Sequence, residues 1–207
     1  MKRLAQIWRY PVKSIGRERL SRARLDMGGK LPFDRHWAVL HEGSAKRLSD
    51  ADTLEDWLPK AAFLRGAAGP ELQAIEGRLD GDKLVFSHPK QGEITVIPGD
   101  EATCARFIDW LRPLWPAEKP APLQLVRSTT PLTDTKQPFV SINSLDSLAA
   151  LEAHVGQRLG VDRWRGNLWI EGAEPFAEQD WIGRDFTIGQ IRLIGREAIG
   201  RCSATSV

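Results

Sequence analysis

Four short segments of the sequence combine residue types that could bind a ligand or do chemistry. They are residues 10–14 (YPVKS), 34–37 (DRHW), 163–167 (RWRGN) and 200–206 (GRCSATS). Lysine, arginine, serine and asparagine at strand ends suit a phosphate-bearing ligand, because a guanidinium pairs with two phosphate oxygens and the other groups add hydrogen-bond donors. The alternative is structural, since an arginine beside a tryptophan usually stacks on it at the surface.

The two cysteines have different surroundings. Cys202 lies between Arg201 and Ser203, with no apolar neighbour nearer than Ala204, and an adjacent cation favours the thiolate. We therefore expect Cys202 to act as a nucleophile or as a soft metal ligand. Cys104 lies on the apolar face of a predicted helix and is expected to pack as a small core residue. Two thiols are too few for an iron–sulfur cluster, which needs about four, or for a zinc site of paired CxxC elements.

Composition and charge restrict the class of protein. The chain has 207 residues, 42% of them hydrophobic, and 29 basic against 27 acidic residues leave a formal net charge of +2. This balance argues against nucleic acid and membranes as partners. We find no Walker A, GxGxxG, HExxH or GxSxG motif, no signal-peptide core and no apolar run of about 20 residues. Because two cysteines make no disulfide framework, we expect a globular, cytoplasmic protein.

The elements that must position these side chains are mainly short strands. Strands are predicted at residues 4–9, 18–25, 36–40, 71–79, 83–86, 94–97, 123–126, 139–142, 168–170 and 186–194. Asp80 and Gly81, between two of these strands, are a strong hairpin signal. Gly189 predicts a bulge or a turn inside the last one.

Two helices are predicted from the spacing of apolar residues. Asp100 can cap the first helix. Its apolar face is formed by Cys104, Phe107, Ile108, Leu111 and Trp115. Asn143 or Ser144 can cap the second helix, and Gly156 follows its last turn. A shorter helix is expected from residue 50 to residue 57.

These elements predict a mainly β (α+β) fold. Many short strands with few helices favour a β-barrel-like or α+β architecture over a doubly wound parallel sheet. The proline-rich residues 113–122 are the best linker candidate. We therefore place a β-rich, barrel-like N-terminal domain at residues 1–115 and a second domain at residues 122–207.

Five segments, in this order and over nearly the whole chain, resemble the family of the MOSC domain (molybdenum cofactor sulfurase C-terminal domain) with its N-terminal β-barrel extension. They are YPVKS, GGKLPFDRHW, PFVSINSLDSL, RWRGNLWIEGAEPFAEQDWIGRDFTIG and GRCSATSV. The run FAEQDWIG and the following Arg-Cys pair are the most specific. Within the family, the chain resembles the bacterial relatives of the mitochondrial amidoxime-reducing component. Family members continue beyond the position of Val207, so we expect the second domain to be cut short there.

The resemblance implies a molybdenum–molybdopterin cofactor and assigns residues to it. Cys202 matches the thiolate ligand of molybdenum and is the expected catalytic residue, and Arg201 beside it is assigned to cofactor binding. The other matches are cofactor-binding positions, namely Lys13, Ser14 and Arg35 at the phosphate end of the pterin, Ser141, Asn143 and Ser144 in the VSINS stretch, and Arg165 and Asn167 near the pterin. No pyridoxal phosphate is expected in this chain.

The resemblance also implies an enzyme. The expected activity is that of an oxidoreductase component that reduces N-hydroxylated or N-oxygenated small molecules at molybdenum, with electrons from a separate flavin or iron–sulfur reductase. Two alternatives stay open. Cys202 could carry sulfur as a persulfide in cofactor sulfuration, or the chain could be a non-enzymatic module that binds pterin or anions. Molybdenum bound by a thiolate would favour the reductase. A Cys202 persulfide without metal would favour sulfur transfer, and phosphate affinity with neither of these would favour the binding module.

Overall fold

The computed structural model describes residues 2–25, 28, 31–47, 52–54, 57–134, 137, 139–200 and 205. Within these residues, twelve strands and two α-helices follow one another. The strands are β1 (Arg3–Arg9), β2 (Glu18–Leu20), β3 (Trp37–His41), β4 (Thr53–Leu54), β5 (Glu76–Asp80), β6 (Lys83–His88), β7 (Gly92–Val96), β8 (Pro122–Ser128), β9 (Ile142–Ser144), β10 (Leu168–Glu171), β11 (Asp185–Ile188) and β12 (Ile191–Ile194). The helices are α1 (Glu101–Leu111) and α2 (Leu145–Val155). The mainly β, α+β fold class predicted from the sequence is confirmed.

The described strands form four sheets. The largest has the order β2-β1-β10-β9, with β1 antiparallel to both β2 and β10, and β9 parallel to β10. The others have the orders β3-β8-β4, β5-β6-β7 and β11-β12. Because β1 and β10 run in opposite directions, the residues that leave β1 lie beside the residues that enter β10. This pairing of a strand from the first half of the chain with a strand from the second half brings together segments that the sequence analysis singled out.

The two halves share hydrogen-bonded strands. Besides the pairing of β1 with β10, β8 lies between β3, to which it is antiparallel, and β4, to which it is parallel. The predicted boundary at residue 122 puts β8 in the second domain, whereas its strand partners belong to the first. The division into residues 1–115 and 122–207 stays a prediction.

Three local predictions from the sequence are wrong. Residues 70–74 form a 3₁₀ turn rather than the start of a strand, because Pro70 lies in its first turn and fixes a helical φ, and β5 begins only at Glu76. Residues 53–54 form β4, paired with β8, in place of the expected helix at 50–57, of which residues 50, 51, 55 and 56 lie outside the described part. The strand expected at 139–142 begins only at Ile142.

Both predicted helices and their caps are confirmed. Asp100 Oδ1 accepts a hydrogen bond from the Thr103 backbone N at 2.8 Å at the start of α1. Ser144, rather than Asn143, caps α2, and its Oγ accepts from a backbone N–H of the first turn at 3.3 Å. Gly156 ends α2 with a φ of +78°, in the left-handed region that glycine adopts without steric cost.

The main hydrophobic core fixes the loop that follows β1. In this core α1 packs against the β5-β6-β7 sheet, and the rings of Phe86 and Phe107 stack with centroids 5.0 Å apart. Val12 and Ile15, on either side of the predicted binding residues 13 and 14, are fully buried in the same cluster. Burial of each such side chain contributes about 1.5–3 kcal/mol to folding, so this loop is held as firmly as the strands around it.

Neither helix of the described part has the length and apolar character that crossing a lipid bilayer requires.

Candidate functional site

Three of the four segments singled out in the sequence meet beyond the end of β1. In the β1–β10 register Ile7 lies opposite Leu168, so residues 10–14 continue next to residues 163–167. Val12 forms a parallel bridge with Trp37, and the Lys13 backbone N donates to the Trp37 carbonyl at 2.8 Å, which brings in residues 34–36. Strand pairing therefore assembles a cluster from residues that are far apart in sequence. The hydrogen bond between Tyr10 and Gly166, for example, spans 156 positions.

Two guanidinium groups lie against the ring of Tyr10. The Cζ atoms of Arg35 and Arg165 are 4.5 Å and 4.3 Å from the ring centroid. Both distances are within the range of a cation–π interaction. Tyr10 is fully buried, and its hydroxyl donates to the Gly166 carbonyl at 3.1 Å. The ring is therefore fixed, and it holds two positive charges near each other. Trp37, the partner expected for Arg35 in the structural alternative, packs against Phe33 instead.

The backbone is strained at three of the predicted binding residues. Ser14, Arg35 and Arg165 have φ values of +63°, +48° and +49°, in the left-handed region. Five non-glycine residues of the described part have a positive φ, and these are three of the five. Such a conformation costs about 1–2 kcal/mol per residue, so it persists only where other contacts impose it. Strain collected at one cluster is typical of a site whose side-chain directions matter for function.

Asp34 neutralises one of the two arginines. Its Oδ2 accepts from Arg35 Nη1, and its Oδ1 accepts from the Tyr10 backbone N at 2.9 Å. Arg35 also donates through Nη2 to the Arg165 carbonyl at 2.8 Å. Arg165 donates to the Val12 carbonyl at 3.4 Å, and no carboxylate of the described residues forms a salt bridge with it. Among the described residues, therefore, Arg165 has no salt-bridge partner of its own, although the charge of Asp34 also favours its cationic form.

Burial opposes the charge of Arg165 and the ionisation of Tyr10. Burial, and then the nearby positive charge of Arg35, lower the pKa of Arg165 to about 10. Burial raises the pKa of Tyr10 to about 12, although both arginines act in the opposite direction. At neutral pH Arg165 is therefore a cation and Tyr10 is neutral, so the arginines are not neutralised by a phenolate.

Lys13 adds a third cation to the cluster. It is only 7% exposed, and its Nζ donates to Asp134 Oδ1 at 2.8 Å, while Lys60 Nζ donates to the other oxygen at 3.2 Å. Burial lowers the pKa of Lys13, and the carboxylate of Asp134 opposes this. Partial burial also disfavours the Asp134 carboxylate, but the charges and hydrogen bonds of the two lysines outweigh it and lower the pKa of Asp134.

Asn167 and Ser141 form a closed pair inside the protein. Asn167 Oδ1 accepts from the Ser141 backbone N at 3.1 Å and from Ser141 Oγ at 2.9 Å, and its own backbone N donates to Ser141 Oγ at 2.8 Å. Asn167 Nδ2 donates to the Trp8 carbonyl at 3.2 Å. Asn167 is 1% exposed. Its hydrogen bonds join β1, the start of β10 and the segment before β9. The structure thus gives both residues a scaffolding role behind the cationic cluster.

Asn143 and Ser144 lie on the neighbouring strand β9. Both are buried, and the hydroxyl of Ser144 caps α2. The side chain of Asn143 packs so closely on Gly166 that a Cβ atom at position 166 would lie 2.3 Å from Asn143 Nδ2. Glycine at this position therefore lets Asn143 approach the turn that carries Arg165.

Arg201 and Cys202 lie outside the described residues. Their assignment as the metal end of the site stays a prediction from the sequence. The described residue nearest to them on the C-terminal side is Thr205, whose carbonyl accepts from Arg163 Nη1 at 3.0 Å. This bond connects Thr205 to the segment 163–167 that supplies the cationic cluster.

Sequence reasoning missed four residues that shape the cluster. They are Tyr10, Asp34, Gly166 and Asp134. The first three lie inside quoted segments, where their neighbours carried the expected chemistry. Asp134 lies in the loop after β8, and nothing in its local sequence marks it as a partner of Lys13.

The described residues fit a phosphate group. Arg35, Arg165 and Lys13 are charged donors, and Arg165 has no carboxylate partner among the described residues. Guanidinium and ammonium donors are the standard ligands of a phosphate dianion. This donor set matches the phosphate end that the family resemblance requires of a pterin cofactor.

Two family models match the chain. The first, described as the MOSC N-terminal beta barrel domain, matches residues 1–107, and the second, described as the MOSC domain, matches residues 130–207. The first alone spans more than half of the chain. No curated protein matches the sequence.

Proposed function

The chain belongs to the MOSC-domain proteins with an N-terminal MOSC β-barrel domain, and we propose that it binds molybdopterin through the cluster of Lys13, Arg35 and Arg165. The basis of this proposal is that the family is associated with the molybdenum cofactor. We propose further that it reduces N-hydroxylated small molecules with this cofactor. The observation that carries the proposal is the pairing of two guanidinium groups on one buried ring, where the described residues offer a carboxylate partner to only one of them.

Like charges brought together in a buried place are unfavourable without a counterion. Arg35 and Arg165 each lower the electrostatic stability of the other, and burial adds a desolvation cost. A bound phosphate offsets both the repulsion and the desolvation cost, because it supplies two negative charges and accepts hydrogen bonds from several donors. An arginine that served only the fold would gain more from a carboxylate partner, as Arg35 does from Asp34.

The cofactor supplies two-electron redox chemistry when it is bound. The chain contributes the cations that hold its phosphate end, and Cys202 contributes a soft thiolate suited to a metal that also carries dithiolene sulfurs. Reduction of an N-hydroxylated compound takes two electrons and two protons, breaks the N–O bond, leaves an N–H bond and releases water. We propose a separate flavin or iron–sulfur reductase as the source of the electrons.

The two cysteines provide a test of the metal end with a matched control. Cys202→Ser should leave the fold intact and abolish reduction of an amidoxime by the cofactor-loaded protein, since an alcohol is a poor substitute for the thiolate. Cys104→Ser should keep the activity per folded molecule. Cys104 packs on the core, its Sγ donates to the Ile97 carbonyl at 3.6 Å, and burial raises the pKa of this thiol, as expected for an unreactive one.

The outcomes separate the proposed role from its rivals. Full turnover by Cys202→Ser would contradict thiolate ligation. A wild-type protein that carries a persulfide on Cys202 and no molybdenum would contradict the reductase and support sulfur transfer. Turnover lost in both variants alike, with Cys104→Ser still folded, would show that the assay does not report on Cys202.

A further inference from the structure

Tyr10 contacts both arginines of the cluster through its ring, and both of their segments through its hydroxyl and its backbone carbonyl. Its ring lies 4.5 Å from Arg35 Cζ and 4.3 Å from Arg165 Cζ. Its backbone carbonyl accepts from the Arg35 N at 2.7 Å, and its hydroxyl donates to the Gly166 carbonyl at 3.1 Å. A single buried side chain thus determines where two guanidinium groups, brought from positions 35 and 165, can lie.

We propose that Tyr10 is a positioning residue of the anion site, whose ring sets the spacing of Arg35 and Arg165 so that both donate to the same phosphate. This inference rests on the proposed function. Because both guanidinium carbons lie near one ring centroid, they cannot be further apart than the sum of their two distances from it. Without the ring, repulsion between the two cations and the freedom of their long side chains would separate them.

An aromatic ring has an advantage over a carboxylate as the holder of these cations. The ring attracts a cation through its quadrupole and carries no net charge, so the arginines keep their attraction for an anion. A carboxylate in the same place would compete with phosphate for the same N–H donors. Asp34 contacts only Arg35 in this way, and Arg165 depends on the ring and on the Val12 carbonyl.

The hydroxyl of Tyr10 has a separate task. It donates to the carbonyl of Gly166, directly after Arg165 in its left-handed conformation. This bond fixes the turn, whereas the ring fixes the side chain. Tyr10→Phe removes only the hydrogen bond, whereas Tyr10→Leu removes the hydrogen bond and the ring, so the difference between the two variants measures the contribution of the ring.

Calorimetry with inorganic phosphate, on the cofactor-free chain, measures the role of the ring directly. We expect Tyr10→Leu to weaken phosphate binding about tenfold, because two cation–π contacts are lost. Tyr10→Phe loses one neutral hydrogen bond and should weaken phosphate binding only about twofold. Phe107→Leu is the matched control, because Phe107 is an equally buried ring in the core and contacts Phe86. It should lower the melting temperature and leave phosphate affinity unchanged.

Tyr10 is the only tyrosine of the chain, which provides a second test that does not depend on how well Tyr10→Leu folds. Growth on 3-fluorotyrosine places one fluorine at this ring, with little change of shape and with less electron density to attract cations. We expect weaker phosphate binding than in unlabelled protein and a single fluorine resonance that shifts when phosphate is added.

The outcomes keep this inference separate from the proposed function. If wild-type protein binds phosphate, and both Tyr10→Leu and the fluorinated protein bind it equally well, Tyr10 is only a core residue and the positioning role is wrong. If wild-type protein binds neither phosphate nor pterin, the proposed function is wrong, and the positioning role with it.

Discussion

The carboxylate of Asp134 lies over the ammonium group of Lys13. Its Oδ1 accepts from Lys13 Nζ at 2.8 Å, and the side chain of Asp134 is 55% exposed while Lys13 is almost completely buried. An incoming phosphate must therefore compete with Asp134 for this cation. Asp134 approaches Lys13 from the solvent side, and an anionic ligand in the same position would pair with Lys13 equally well.

Asp134→Asn should therefore tighten phosphate binding, by about threefold to tenfold, because it removes a competing negative charge that solvent partly screens. Calorimetry on the cofactor-free protein measures the change. Asp109→Asn is the control, since Asp109 is an exposed residue of α1 that pairs with Arg112. Unchanged or weaker binding in Asp134→Asn would mean that phosphate does not reach Lys13.

The phenol of Tyr10 should titrate at about pH 12, above its ordinary pKa of 10.0, because burial disfavours the phenolate. The single tyrosine makes this visible as one alkaline transition in the tyrosinate absorbance of the unlabelled protein. A transition near the value of an exposed phenol, in protein that is still folded, would contradict the buried position.

The free energy of global unfolding is a poor measure of the same pKa shift, because Tyr10 and Arg165 change it in opposite directions. The raised pKa of Tyr10 stabilises the fold below pH 10, and this contribution is lost as the pH rises towards 12. The lowered pKa of Arg165 is a penalty that is relieved as the pH rises above about 10. The two changes oppose each other in the same interval, so the titration must be observed at the residue.

Asn167→Ala should act on stability rather than on ligand affinity. The substitution leaves the Ser141 hydroxyl and backbone N–H without their buried acceptor, which costs about 2–4 kcal/mol of unfolding free energy. Chemical denaturation measures this loss, and phosphate affinity per folded molecule should change by less than about twofold. A variant of wild-type stability that no longer binds phosphate would instead place Asn167 in contact with the ligand.

Gly166→Ala should destabilise the site, because the new Cβ would lie 2.3 Å from Asn143 Nδ2 and displace that side chain. We expect a loss of about 1–3 kcal/mol, together with weaker phosphate binding from the shifted turn. Gly200→Ala is the control, since no atom of the other described residues lies within 4 Å of a Cβ at that position. Equal thermal stability of the two variants would contradict the close packing of Asn143 on residue 166.

Sequence patterns predicted the parts of the fold that depend on local chemistry. The cap at Asp100, the glycine end of α2 and the hairpin at Asp80 and Gly81 are all found in the structure. The apolar face of the first helix is found as far as Leu111, whereas Trp115 follows the helix after a 3₁₀ turn. The errors arose where tertiary contacts decide. Residues 53–54 become a strand only because β8 offers a parallel partner, which no local pattern reveals.

The candidate site divides in the same way. Motif order identified Lys13, Arg35 and Arg165, and the pairing of β1 with β10 brings their segments together. The sequence did not indicate that Tyr10 would lie against both arginines, since a cation–π contact has no fixed spacing in sequence. It also assigned Asn167 to cofactor binding from its motif, and it did not indicate that the amide would bond to Ser141 and Trp8.

The most direct measurement of the central claim is the molybdenum and pterin content of the purified protein, made in a host that synthesises the cofactor. We predict equal amounts of metal and pterin in the wild type. Arg165→Gln should lose tenfold or more of both, because one charge-assisted contact with phosphate contributes about 1.5–3 kcal/mol. Arg192→Gln, which changes an exposed arginine of β12, should keep them. Folded wild-type protein without pterin, or Arg165→Gln with full occupancy, would contradict the account.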